Sequence, residues 1–452
     1  MESPGASISA WRRLLRSRGD GLIDRYTLPE MAGIWSEENR LAKWLEVELA
    51  VVHALAGTGA VPSEAAQRIR GSARFDVEDV RAREEVTRHD TLSFVECVCS
   101  GLGEDSRYFH MGLTSSDIVD TALALQIREA NGLIVSELEG LRKAVAARAR
   151  EHADTLMIGR THGIHAEPIT FGLKLAVWYR ELGRAMVRIE AASREVCVGK
   201  ISGSVGTYSH LSPAVEDAAL KALGLGTERP ATQIVQRDRH AAYMASLALA
   251  AATLEKMSVE IRHLQRTEVG EASEPFGTGQ KGSSSMPHKR NPITLERVSG
   301  LARLLRSYAM AAMENVALWH ERDISQSSVE RVIFPDSTIL LHYMTRKMRD
   351  VMENLEVDTD RMRSNLDLTR GLIYSQRLML SLMDAGWERT RAYEKSQQLA
   401  KSALAAAADF RDLAADDREV IEALGPKRID EIFDPAFYVR YAGTILKETG
   451  II

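Results

Sequence analysis

Cysteine is nearly absent from this chain of 452 residues, which has only three. Cys97 and Cys99 stand too close for ordinary zinc-ligand spacing and Cys197 stands alone, so no disulfide framework is supported. A sparse, odd count suits a reducing, cytoplasmic setting. Long hydrophobic runs are missing too. The longest, around Met244 to Leu254, is alanine-rich and far short of the ~20 residues a membrane span needs, so it reads as buried helix. Charge of one sign is not in excess. The 58 Lys and Arg against 63 Asp and Glu leave −5, too mild to mark a nucleic-acid or membrane-surface binder. There is no internal repeat and no convincing strand run, which leaves helices as the expected building blocks.

The chain is long enough for two or three domains with a large core. Residues 1–22 differ from the rest, with Arg12, Arg13, Arg16 and Arg18 beside Trp11 and Leu14, and read as a disordered N-terminal extension. From Ser36 the residues Leu41, Trp44, Leu45, Leu49, Val52 and Leu55 keep helical spacing, with Glu48 as the one polar exception. After HMGLTSSD (110–117), Ser116 or Asp117 can cap a very long helix running to about residue 152, with Asn131-Gly132 as its weak point. Further helices are expected over about 170–196, 237–268, 294–316 and 327–354, with shorter ones from about residue 367. Segments this long pack best side by side, and their alanine-rich faces permit close approach. The expected fold is all-α, a central bundle of long helices that oligomerises.

The segments between the helices hold the candidate chemistry. GEASEPFGTGQKGSSSMPHKRNP (270–292) has glycines, three prolines, three consecutive serines and almost no large apolar side chain, so it belongs at the surface between rigid supports. Within it Gly277, Gly279 and Gly282 spell the dinucleotide pattern G-x-G-x-x-G, but no strand precedes them and prolines follow. Ser283 stands where a Walker loop needs Lys, and no GxSxG elbow is present. His162 and His165, with Glu167 nearby, are the best metal pair, yet there is no HExxH and no third ligand at persuasive spacing. No metal and no cofactor are expected. The remaining segments are Thr87-Arg88-His89-Asp90, Thr114-Ser115, GRTHGIHAEP (159–168, read as a loop), Gln233 and HERDISQSSVER (320–331). Loops gathered at bundle ends can converge on one cleft.

GSSSMPHKRNP (282–292) resembles the GSSxMPxKxNP loop of the fumarase–aspartase superfamily, whose members release fumarate or a close relative by breaking a C–N or C–O bond. Within it the chain resembles the adenylosuccinate lyase family, through Arg25-Tyr26, TRHD (87–90), LTSSD (113–117), GRTHGIHAEP, TQIVQRDRH (232–240) and HERDISQSSVER, all in order. The likeness runs from about Leu22 to the C-terminus. It implies three helical domains, 23–111, 112–365 and 366–452, and a homotetramer whose active sites are each built from three subunits. It also implies small-molecule nucleotide substrates, adenylosuccinate and SAICAR, with no nucleic-acid or membrane partner.

The same resemblance implies roles. Ser283 is the base and His162 the acid, with Glu296 orienting the imidazole. Serine is a poor base in water, so Lys289 and loop amides are expected to stabilise its oxyanion. Lys289, Asn291, Thr114 and Ser115 suit the two succinyl carboxylates, while Arg25, Tyr26, Ser327 and Arg331 suit the nucleotide phosphate. Arg88, His89, Asp90, Thr161, Gln233 and Arg322 complete the pocket, His89 also supporting catalysis. Three positions depart from the family pattern: Thr91, Ser285, and Gln326, where relatives often have His. Rival readings are argininosuccinate lyase, aspartase, a carboxymuconate-type cycloisomerase, and a helical scaffold without chemistry. Arg25-Tyr26 and Ser327 to Arg331 favour the nucleotide.

Overall fold

The computed structural model describes residues 23–452, so the arginine-rich segment 1–22 lies outside the described residues. Ser36 starts the first substantial helix, Glu37–Gly57, by accepting the Asn39 N–H on its hydroxyl at 3.2 Å. The side chains with helical spacing then fall on one face. Leu41, Trp44, Val51, Val52 and Leu55 are buried, and Leu45 and Leu49 pack against the same cluster. Trp44 meets Phe94 edge to face at 5.6 Å. Aromatic and aliphatic side chains of this size each contribute roughly 1.5–3 kcal/mol when fully buried.

Five long helices follow: Ser115–Glu151, Phe171–Val196, Arg237–Leu264, Ile293–Glu314 and Ser325–Glu353. The first begins two or three residues earlier than a cap at Ser116 or Asp117 would place it. Thr114 donates its N–H to Asp117 Oδ2 at 2.8 Å, while the Asp117 N–H donates to the Thr114 carbonyl at 2.9 Å. Asp117 therefore acts from inside the first turn, in the reciprocal manner of a capping box, and neither it nor Ser116 is the cap. Asn131-Gly132 leave this helix unbroken, because Ile127, Ala130, Ile134 and Leu138 bury its inner face throughout.

Two compact units divide the chain. One holds the described residues up to Glu139, with Arg184–Glu255 and Val298–Lys347; the other holds Gly140–Gly183, Lys256–Arg297 and Met348–Ile452. In the first, three helices are riveted by a buried Arg237. Its guanidinium donates to Asp120 at 2.6 and 3.0 Å and to Glu330 at 2.8 and 2.9 Å. A buried cation is tolerated only with this kind of full pairing. The second unit has its own core, including Ile158, Leu366, Leu378, Phe410 and Ile432.

The expectation of no strands needs correction. Among the described residues there are three two-stranded sheets, and one is a true hairpin: β1 (Leu156–Thr161) pairs antiparallel with β2 (Ile164–Thr170). Buried Met157 and Ile158 anchor it. Its sequence reads as loop because Gly159 and Pro168 interrupt the alternation, and a register shift between Ile158 and Arg160 absorbs the irregularity.

Candidate active site

The hairpin turns through two residues only, His162 and Gly163, whose φ values are 56° and 78°. Positive φ at both central positions is what a two-residue turn of type I′ requires, because its twist matches that of the strands. Glycine meets this without strain, whereas a histidine does so against its own Cβ. The result is an imidazole held out at an exposed turn, beside exposed Thr161, on a base of two buried side chains.

The segment 270–292 is closed at its roots. Ala272–Ser273 pair with Glu356–Val357, and the buried Glu274 carboxylate accepts the N–H groups of Thr294 (3.3 Å) and Leu295 (3.1 Å) where the Ile293–Glu314 helix starts. Burial pushes the Glu274 carboxyl above its ordinary range, against the pull of those amides. Further in, Gly282 lies so near the Lys289 carbonyl oxygen that a Cβ would stand 2.0 Å from it. Asn291 Nδ2 closes the same ring by donating to the Gly282 carbonyl at 3.0 Å.

Inside this ring the Ser283 Oγ accepts two backbone N–H groups, from Ser285 at 3.3 Å and Met286 at 3.1 Å. Two donors aimed at one hydroxyl oxygen favour negative charge there. Lys289 is exposed and forms no ion pair among the described residues, so its ammonium is open to an anion. Glu296 sits exposed in the first turn of its helix, and no hydrogen bond joins it to His162. Nor does one join His162 to Ser283.

The other unit carries the residues expected around the nucleotide. Arg331 pairs with Asp90 at 2.5 Å. Burial raises the Asp90 carboxyl, but the Arg331 hydrogen bond and charge outweigh it and leave the group below its ordinary range. His89 caps the Asp90–Cys99 helix, its Nδ1 accepting the Leu92 N–H at 3.2 Å; this assigns the ring proton to Nε2. Arg88 closes the preceding helix at φ 56° with its side chain exposed. Gln233 accepts from Arg322 at 3.0 Å and donates to the Ser204 carbonyl at 3.1 Å. Thr114 and Ser115 form the start of the Ser115–Glu151 helix, and Ser327 lies in the first turn of Ser325–Glu353. Arg25 is exposed in the short turn Asp24–Tyr26, and the Tyr26 ring packs on Tyr343 at 5.5 Å. The structure thus joins Asp90 to Arg331 and Gln233 to Arg322.

Comparison with known proteins identifies the family. The family profile described as Lyase matches residues 24–305, and that described as Adenylosuccinate lyase C-terminus matches 371–449. Adenylosuccinate lyase of Bacillus subtilis (strain 168) is 46% identical over 430 residues, covering 95% of this chain and 100% of the relative. That of Thermotoga maritima is 47% identical over 94% of this chain and 99% of its own length. The chain belongs to the adenylosuccinate lyase family. Solved structures agree at the level of fold. Fumarate lyase from Mesorhizobium sp. BNC1 superposes with TM-score 0.86 at 30% identity, covering 95% of this chain and 99% of that one. The 3-carboxy-cis,cis-muconate lactonizing enzyme from Pseudomonas putida gives 0.85 at 30%, covering 94% and 96%.

Within this adenylosuccinate lyase framework the sequence reading passed over one histidine. His110, at φ 57° and four residues before Thr114, has its Nδ1 2.6 Å from Oε1 of Glu48, and its N–H donates to Oε2 at 3.1 Å. Burial opposes the imidazolium, but the Glu48 hydrogen bond and charge prevail and raise the His110 pKa. The signal was available, since Glu48 was the lone polar residue on an apolar helix face and is fully buried. Gln326 is also buried, with its Oε1 lacking a hydrogen-bond partner. Among the described residues no cluster of His, Cys, Asp and Glu is placed to hold a metal ion, and no helix is long and apolar enough to cross a membrane. An open cavity lined by Gln265, Ser273, Glu356 and Asp358 contains none of the residues expected to act on substrate.

Proposed function

We propose that this chain releases fumarate from adenylosuccinate, giving AMP, and from SAICAR, giving AICAR, by β-elimination. The observation that carries the reading is the near-full-length identity to adenylosuccinate lyases. The amide cradle around Ser283 supports its chemistry. With two N–H groups stabilising the oxyanion, Ser283 takes the proton from the carbon beside a succinyl carboxylate. The electron pair left behind spreads into that carboxylate, where the unpaired Lys289 ammonium meets the growing charge, with Thr114, Ser115 and Asn291 as hydrogen-bonding partners. The C–N bond then breaks with its electron pair going to nitrogen, and His162 protonates that nitrogen, oriented by Glu296.

The phosphate falls to Arg25, Tyr26, Ser327 and Arg331. Thr161, Arg88, His89 (through its Nε2–H), Asp90, Gln233 and Arg322 line the remainder. We further take the chain as three domains, 23–111, 112–365 and 366–452, acting in the cytoplasm as a homotetramer with each site shared by three subunits. Exposed Val177 and Val187, Leu249 and Val259, and Met310 and Met313 on three of the long helices support burial against other copies. Offering adenylosuccinate, SAICAR, argininosuccinate and aspartate separately, and following fumarate, tests the function. Release only from a substrate without phosphate overturns it.

A further inference from the structure

The His162 turn is strained, exposed and only two residues long, so something beneath it must set where the imidazole stands. Arg160, two residues earlier on β1 and opposite His165, supplies the connection. Its guanidinium forks onto Glu271, Nη1 donating to Oε2 at 2.8 Å and Nη2 to Oε1 at 2.7 Å. A fork of this kind fixes angle as well as distance.

Glu271 is itself immobilised. Its side chain is fully buried, and Oε1 also accepts from Asn365 Nδ2 at 2.7 Å. Asn365, buried on the Thr359–Asp367 helix, donates in addition to the Val269 carbonyl at 2.9 Å. The Glu271 backbone is held at both ends, its N–H by Leu264 O (2.9 Å) and its carbonyl by Asp358 N–H (3.0 Å). Glu271 is moreover the root of the Ser283 loop, three residues before the Glu274 clasp.

A buried ion pair is weak support for stability, since apolar residues of similar volume often do as well. Its value here lies in what it fixes. We propose that Arg160 and Glu271 are positioning residues of the elimination: the pair mounts the His162 turn on a rigid post that is also the anchor of the Ser283 loop. This rests on the assignment of His162 as the acid. Losing the fork leaves the other substrate-contacting groups in place but lets the imidazole wander, which costs turnover more than substrate affinity.

The test uses Arg160→Lys, which keeps the charge and loses the fork, and Glu271→Gln, which keeps one acceptor. Each is made in the wild-type chain and in a His162→Ala background, and fumarate release is measured at saturating and limiting adenylosuccinate. In the wild-type background Arg160→Lys lowers kcat by about 10- to 100-fold with KM within about threefold, and Glu271→Gln shifts it the same way by less. In the His162→Ala background either change costs less than about twofold, because there is no imidazole left to place. Equal losses in both backgrounds, or wild-type kcat in both variants, overturn the proposal. If Arg160→Lys does not fold, Glu271→Gln decides by the same criteria. His162→Ala alone retaining the wild-type rate refutes the assignment of the acid instead, and that result is read from the parent background without either substitution.

Discussion

Gly282→Ala adds one methyl group to the chain and is expected to silence the enzyme. The new Cβ would stand 2.0 Å from the Lys289 carbonyl oxygen, 3.0 Å from its carbon and 3.1 Å from the Arg290 Cα. All three neighbours are backbone, so no side-chain rotation relieves the clash. Since real Cβ contacts essentially never fall below 3.0 Å, one strand of the ring must retreat by at least about 1 Å. That movement separates Ser283 from the Asn291–Gly282 clasp and disturbs the two amides facing its Oγ. A displacement of about 1 Å at a reacting group costs on the order of a hundredfold in rate, or about 2.7 kcal/mol of barrier.

Gly277→Ala, in the same loop, is the control, because its Cβ would meet only Gln280 Oε1 at 3.6 Å. Steady-state fumarate release should show kcat down about a hundredfold for Gly282→Ala and near wild type for Gly277→Ala, with melting temperatures unchanged. A Gly282→Ala enzyme with wild-type kcat would refute the argument that the closed ring prepares Ser283.

Other perturbations separate stability from function. Arg237→Met strands Asp120 and Glu330 together in the interior and should cost about 3–5 kcal/mol in denaturant unfolding, whereas Arg331→Met, which removes the exposed partner of a half-buried pair, should cost about 1 kcal/mol yet raise KM. His240 is held neutral, pushed down to about 3 by burial and then by the Arg237 charge. Its contribution is complete above pH about 6.5 and falls by up to about 1.4 kcal/mol per pH unit below that, toward the folded pKa; in His240→Gln, unfolding measured from pH 7 to 4 should show a flatter acid limb. Mixed oligomers of Ser283→Ala and His162→Ala should regain about a quarter of wild-type activity, because some sites draw both intact residues from different subunits. Hybrids as inactive as their parents would place acid and base on one chain.

The long helices were legible because their causes are local. Apolar spacing and end signals set Phe171–Val196 and Ser325–Glu353 to within a few residues of where the sequence places them. The residue types of the candidate site are readable in the sequence as well, since hydroxyl, imidazole and ammonium groups cluster between those helices whatever the packing. The hairpin at 156–170 was not, because strand pairing depends on which segment lies opposite, and His162-Gly163 is an uncommon way to write a two-residue turn. Glu271 and Glu274 were equally silent. In a sequence each is one more carboxylate among solvated ones; only burial against Arg160 or a helix start turns it into a fixed acceptor. Periodicity along a chain reveals which groups are present and on what scaffold, while water exclusion by distant segments decides which charges must be paired, and so where the reactive side chains are held.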